Sequence, residues 1–281
     1  MGQIVDGKKV AESITAQIKT DLLKYKAKPN LTVVLVGDDP ASHIYVKNKV
    51  KKATELGFDS KAIFLPEKTS EKELLKKVDE LNKSKKVHGI LVQLPLPKHI
   101  SENSIINAIS PLKDVDGCHP ISKGRLAIGD EGGFVPCTPL GCIILIEQIL
   151  GKDLSGKTAV VVGRSNLVGK PMASLLLNRN ATVTIVHSKT KNTKDFTQKA
   201  DILVIAIGKA KFITKDYVKK GAIVIDVGIN RSSEGKLCGD VDFENLIDIA
   251  SHITPVPGGV GPMTIACLMK NALKAFVNIA P

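Results

Sequence analysis

Tyr45 and Lys49 stand four residues apart in a stretch with helical periodicity, residues 41–56, so their side chains share one helix face. A phenol and an amine placed that way relay a proton when burial or a neighbouring charge draws one pKa toward neutrality. Spacing alone favours a plainer reading, because Lys47, Lys49, Lys51 and Lys52 form a run that suits a solvated helix face. Gln93 closes the apolar run HGILVQL (88–94), at the strand end where open parallel sheets bind ligands, although a capping amide also fits there. Asp114 and Asp116, in KDVDG, offer two carboxylates to a ligand or serve as ordinary turn residues.

A second constellation follows the apolar run TAVVVG (158–163). Gly163, Arg164 and Ser165 lead through Asn166, Leu167 and Val168 to Gly169, Lys170 and Pro171, and a helix-like ASLLLN comes next. Glycines let a backbone turn sharply against a phosphate, and a helix N-terminus offers free N–H groups to an anion. The usual three-glycine fingerprint is incomplete here, so a plain strand–turn–helix remains open. In NAD-preferring domains a carboxylate near the end of the next strand pairs with the ribose. Here that strand, ATVTIV (181–186), runs into His187, Ser188, Lys189 and Thr190 with no carboxylate. Arg164 and Ser188 suit a 2′-phosphate instead, which argues for NADP.

The elements that must position these groups alternate. A helix is expected over residues 8–27, then strands over 30–37, 61–66 and 88–94, with helices over 41–56 and 70–84 between them. The helix at 70–84 opens with a capping box, Ser70 and Glu73. Residues 111–139 are rich in Gly, Pro and Asp and read as one long irregular stretch. A helix over 140–150 leads to strands at 158–163, 181–186, 201–208 and 222–228, then to the irregular HITPVPGGVGPMT (252–264) and a final helix from about 265 to 275. This is an α/β pattern of right-handed βαβ units. We read two domains: residues 1–140 with the C-terminal helix 266–281, and residues 141–265 as a Rossmann-like parallel sheet.

Composition narrows the classes. Apolar residues make up 43% and aromatic ones 4% of the 281, so the core is aliphatic, as buried parallel strands require. The net charge of +12 rests almost wholly on Lys, with Arg only at 125, 164, 179 and 231. Poor in Arg and aromatics, the chain does not read as a nucleic-acid binder; its charge suits anionic small ligands. Five cysteines without a Cys-x-x-Cys pair point to reduced thiols in the cytoplasm and to no metal site. No stretch is long and apolar enough to span a bilayer, so no membrane partner is expected.

Seven segments in order, ASHIYVKNKVKKATELGF (41–58), HGILVQLPLPKHI (88–100), PLKDVDGCHP (111–120), PCTPLG (136–141), GRSNLVGKP (163–171), HSKT (187–190) and ITPVPGGVGPMT (253–264), resemble the methylenetetrahydrofolate dehydrogenase/methenyltetrahydrofolate cyclohydrolase family over nearly the whole chain. The resemblance implies an active site in a cleft between two α/β domains. It implies Lys49 as the central catalytic residue, Tyr45 beside the folate, Gln93 positioning Lys49, and Asp116 anchoring the pterin ring. Pro257, Gly258 and Gly259 would line the folate and nicotinamide region. Gly163, Arg164, Ser165, Gly169 and Ser188 would hold NADP. Where the family often carries Asn, this chain has Ser122, which touches the packing of that loop.

The function implied is bifunctional: NADP-dependent oxidation of 5,10-methylenetetrahydrofolate, then hydrolysis to 10-formyltetrahydrofolate, by a cytoplasmic homodimer acting on folates with or without polyglutamate tails. Three rivals share parts of the pattern. An NAD-dependent dehydrogenase-only relative is disfavoured by Lys49 and by the missing acidic residue after ATVTIV. A shikimate-type dehydrogenase has no need of KDVDG or ITPVPGGVGP. A non-catalytic nucleotide- or RNA-binding protein would be expected to be richer in Arg and aromatics.

Overall fold

A computed structural model of the chain describes residues 2–232 and 235–279. The chain opens with β1 (Gln3–Ile4) and α1 (Gly7–Leu22). Then come β2 (Asn30–Val36), α2 (Pro40–Glu55), β3 (Asp59–Leu65), α3 (Glu71–Lys83) and β4 (Gly89–Val92). Three helices follow: α4 (Glu102–Ala108), α5 (Pro120–Ala127) and α6 (Cys137–Leu150). The second half contains β5 (Thr158–Val162), α7 (Gly169–Leu177), β6 (Thr182–Val186), α8 (Thr193–Thr197), β7 (Ile202–Ile205) and β8 (Ile223–Asp226). A short β9 (Asn230–Arg231) and β10 (Leu237–Cys238) precede α9 (Phe243–Leu246), β11 (His252–Ile253) and α10 (Val260–Ile279).

The chain folds as two compact units. One comprises Ser13–Val135 with Leu268–Pro281, of which Ala280 and Pro281 lie outside the described residues. It carries a parallel sheet in the order β3-β2-β4. Every residue of the central β2 is buried, which explains the apolar run Val33–Val36; the buried Thr32 hydroxyl donates to Asn30 Oδ1 at 3.1 Å. Leu74, Val78 and Leu81 line the buried face of α3, whose capping box forms as its sequence suggests. The end of that helix is closed from afar: buried Lys113 donates from Nζ to the carbonyls of Leu81, Asn82 and Ser84 at 3.1, 2.8 and 2.8 Å. A cation at a helix C-terminus meets both the free carbonyls and the dipole. The last turns of α10 belong to this unit as well. Asn271 donates from Nδ2 to the carbonyls of Val115 and Val135 at 2.9 Å each, and the Phe276 ring meets those of Tyr25 and His88 edge-on.

The other unit comprises residues 1–12 and 136–267. Its sheet runs β1-β11-β8-β7-β5-β6 and is parallel throughout. From β5 the chain moves to β6 on one side and then returns to β7 on the other, so the strand order reverses at the carboxyl end of β5. That reversal is where open α/β sheets bind nucleotides. The core is aliphatic, built around Val160, Val162, Leu203, Ile205, Val224 and Ile253.

Several boundaries differ from the sequence reading. Residues 1–12 join the six-strand unit rather than the first domain, because β1 pairs in parallel with β11. Two-residue strands carry no periodicity, so neither was visible. The stretch 111–139 is not wholly irregular: it holds α5, and α6 begins at Cys137 rather than 140. Pro120 sits in the first turn of α5, where its missing N–H is no loss, and the His119 ring accepts the Ile121 N–H as a cap at 3.0 Å. The last helix is nearly twice its expected length, since Pro262 is tolerated in its first turn.

Candidate functional site

In the three-strand unit α2 starts cleanly, with Asp39 accepting the Ser42 N–H at 2.8 Å and Pro40 in the first turn. The helix buries Ser42, Val46 and Ala53 and turns Tyr45, 42% exposed, to the outside. The four lysines of the run then separate. Lys47 and Lys51 are exposed, and Lys52 pairs with Glu55 at 2.9 Å. Lys49 is half-buried and donates from Nζ to Gln93 Oε1 at 2.8 Å. Gln93 follows directly on β4, and its own Nε2 donates to the Leu94 carbonyl at 2.6 Å. That bond fixes the amide with its oxygen toward Lys49.

KDVDG runs beside β4, with Ile90 bridged in parallel to Asp114. Asp116 and Gln93 therefore leave the same, carboxyl end of the sheet. Asp114 is 1% exposed and builds the turn: it accepts the Cys118 N–H at 3.1 Å, the His119 N–H at 2.8 Å and the Ser122 hydroxyl at 3.1 Å. Burial pushes its pKa up to about 7 against the pull of those donors. Ser122 thus has a defined partner in Asp114. Asp116 is half-buried, and the Cys118 thiol points to its Oδ2 at 3.6 Å. Burial, with Asp116 and Asp114 nearby, drives that thiol's pKa well upward, so it stays protonated and donates.

In the six-strand unit the backbone turns at Gly163, φ +121°, on a site where any side chain would strike the Ala206 carbonyl. Gly169 likewise leaves no room for a Cβ against the Gly163 carbonyl. Ser165 accepts the Val168 and Gly169 N–H groups at 3.0 and 3.3 Å and so starts α7. Gly163 and Arg164 line a cavity of about 480 Å³ together with His187, Ser188, Thr190, Thr193, Ala206, Ile207, Lys209 and Phe212. Ser165 and Gly169 shape the turn without lining this cavity. None of its described lining residues is a carboxylate, and Arg164, Ser188 and Lys209 supply cations and a hydroxyl. These residues fit a phosphorylated dinucleotide. The 206–209 segment was invisible from local sequence, because it comes to the Gly163 turn only through the β5–β7 pairing.

Pro257, Gly258 and Gly259 lie in the loop between β11 and α10 of the same unit. Gly258, φ +108°, accepts the Lys8 N–H at 3.1 Å, and the Gly259 N–H reaches the Pro255 carbonyl at 2.9 Å. A side chain on Gly259 would collide with Thr254 and Pro255, and one on Gly7 with Gly259. The loop and the start of α1 thus need glycine on both sides of their contact.

A parallel sheet with a glycine turn at its reversal point, beside a basic cavity with no carboxylate among its described lining residues, defines the dinucleotide-binding α/β class. Comparison with known proteins resolves the class. The family model described as the tetrahydrofolate dehydrogenase/cyclohydrolase catalytic domain matches residues 5–116, and the one described as its NAD(P)-binding domain matches residues 136–280. The chain belongs to the tetrahydrofolate dehydrogenase/cyclohydrolase family. It is 58% identical to a "Bifunctional protein FolD" of Listeria innocua over 282 residues, covering 99% of each chain. It is also similar to the crystal structure of the bifunctional methylenetetrahydrofolate dehydrogenase/cyclohydrolase from Campylobacter jejuni, at 48% identity and TM-score 0.96 over 99% of both chains. A Trypanosoma brucei methylenetetrahydrofolate dehydrogenase-cyclohydrolase complexed with NADP and an inhibitor matches at 36% identity and TM-score 0.92, over 99% of this chain and 98% of that one.

Proposed function

We propose that Lys49, set by Gln93, is the proton-transfer group in the two folate reactions of this chain, NADP-dependent oxidation of 5,10-methylenetetrahydrofolate and hydrolysis of the methenyl product to 10-formyltetrahydrofolate. The observation that carries this reading is the 2.8 Å bond from Lys49 Nζ to Gln93 Oε1, which singles one lysine out of a run of four.

When bound, NADP would supply the hydride acceptor, and the Gly163 turn with Arg164 and Ser188 would hold it, the latter two suiting its 2′-phosphate. In oxidation the methylene carbon gives up a hydride, and the two flanking folate nitrogens delocalise the resulting cation. The protein's task in that step is orientation more than acid–base power. Asp116 anchors the pterin ring and Tyr45 borders the folate, while Pro257, Gly258 and Gly259, in the unit that holds NADP, offer a small-residue surface to a bound ligand. Hydrolysis is more demanding. Water adds to the methenyl carbon and loses a proton, N5 takes a proton, and the bond from that carbon to N5 breaks. The remaining hydroxyl proton leaves as the formyl carbonyl forms, so one proton is released overall. Lys49 Nζ is the group that moves protons in that exchange, with Gln93 Oε1 fixing its direction.

Five free cysteines suit a reducing compartment, and no helix among the described residues is long and apolar enough to cross a membrane. We assign the chain to the cytoplasm on its reduced thiols and the family resemblance, and to a homodimer on the family resemblance alone. The test is a spectroscopic assay with 5,10-methylenetetrahydrofolate and either NADP or NAD, following reduced cofactor and methenyl intermediate together. The expected outcome is NADP-dependent reduction with little methenyl build-up. Accumulating methenyl product would remove the hydrolytic half of the proposal, and preference for NAD would remove the 2′-phosphate assignment.

A further inference from the structure

Asp240 is wholly buried in the six-strand unit, yet its carboxylate is among the most heavily used in the molecule. Oδ2 accepts the N–H of Ile207 at 2.7 Å and of Gly208 at 3.0 Å, and Oδ1 accepts the N–H of Lys209 at 2.7 Å. Asn230 Nδ2 adds a fourth donor to Oδ1 at 2.9 Å. Three successive backbone N–H groups converging on one point form an anion-binding concavity, here filled by a side chain of the protein itself.

The gathered segment has a place in the fold that matters. Ile207 and Lys209 lie on the wall of the cavity that also holds Gly163, Arg164 and Ser188. Ala206, one residue earlier, packs its carbonyl against Gly163 so closely that only glycine fits. The carboxylate is itself fixed. The Asp240 N–H donates to Asp226 Oδ1 at 3.0 Å, and the Ile213 N–H donates to the Asp240 carbonyl at 2.9 Å. Gly228 leaves no room for a side chain beside that carboxylate.

We propose that Asp240 is a positioning residue for NADP: by collecting the N–H groups of residues 207–209 it sets the cavity wall opposite the Gly163 turn at the spacing the dinucleotide needs. This rests on the assignment of that cavity to NADP. The carboxylate touches no cofactor in this scheme; it acts through the backbone it holds. Replacing it by an amide puts an N–H donor or a weaker acceptor before three donors that cannot all turn away, and the segment must move.

The test exploits two activities in one chain, because hydrolysis of 5,10-methenyltetrahydrofolate consumes no hydride acceptor. Asp240→Asn, in the full chain, is expected to raise the NADP dissociation constant on the order of tenfold by direct titration, the scale of a lost bond to a charged group. Hydrolysis of methenyltetrahydrofolate without NADP should stay within about twofold of the parent, which a general loss of structure would not allow. Arg164→Ala is the benchmark. Weaker NADP binding in Arg164→Ala with unchanged binding in Asp240→Asn overturns the positioning role alone, whereas unchanged binding in both overturns the cavity assignment and this proposal with it. Should Asp240→Asn lose hydrolysis too, Asn230→Ala decides, since the Asn230 amide holds Oδ1, the oxygen that receives the Lys209 N–H, and its loss frees the carboxylate to turn away from the segment. Weaker NADP binding with intact hydrolysis in that variant supports the proposal, and unaltered NADP binding overturns it.

Discussion

Lys49 donates its ammonium hydrogen to the side-chain oxygen of Gln93 at 2.8 Å, across 44 residues of sequence, while its lysine neighbours on α2 face solvent or pair locally. If this pair governs proton transfer, Lys49→Met should lower hydrolysis of methenyltetrahydrofolate by roughly 10²–10⁴-fold, the usual contribution of a positioned acid or base. Gln93→Ala should cause a smaller loss of the same kind, since the amine remains but is no longer held. Both variants should melt close to the parent. Hydrolysis at the parental rate in Lys49→Met would end the assignment.

Asp116 sits at the carboxyl end of β4 with its Oδ2 held by the Cys118 thiol. Asp116→Ala should raise KM for the folate substrate on the order of tenfold or more in both reactions and leave KM for NADP alone. The comparison of the two KM values makes the check, and an unaltered folate KM would remove the anchor role.

Arg164 and Ser188 line a cavity with no carboxylate among its described lining residues. Arg164→Ala should therefore weaken NADP more than NAD, narrowing the preference on the order of tenfold, the scale of one charge-assisted contact. Paired titrations with the two cofactors read this directly. Equal weakening of both would show that Arg164 holds some part other than the 2′-phosphate.

Asp114 links pH to stability with a definite sign. Its carboxyl titrates near 7 in the folded chain against an ordinary 3.8, raised by burial. The folded state thus keeps the proton that the unfolded state releases first, so this group's contribution falls as pH rises from about 4 to about 7 and is level above that. Asp114→Asn, permanently neutral, should lack this component. Between pH 5 and pH 7.5 the parent should lose more thermal stability than the variant, and parallel melting profiles would count against the raised pKa.

Much of the scaffold was legible because it rests on local rules. β2, β7 and β8 are buried along their whole length and β5 over Ala159–Val162, and strands covered on both faces are rich in Val, Ile and Leu. The capping box of α3 and the glycine turn at 163 are likewise short-range signals, each formed within a few residues. What stayed hidden has no local signature. β1 and β11 are two residues long and exist only through pairing with each other and with β8. Nothing near Lys113 announces that its amine closes a helix ending 30 residues earlier.

The sequence by itself determined the α/β class, the family and the residues available for chemistry, because strand hydrophobicity, turn glycines and the KDVDG and ITPVPGGVGP segments are properties of contiguous chain. Only the tertiary structure decided which of four like-charged lysines is held, which of two aspartates in KDVDG builds the loop and which is left half-open, and which buried carboxylate gathers the cavity wall. Each of those choices depends on a partner brought from far along the chain and on desolvation at the place where they meet. Neither is a property of local sequence.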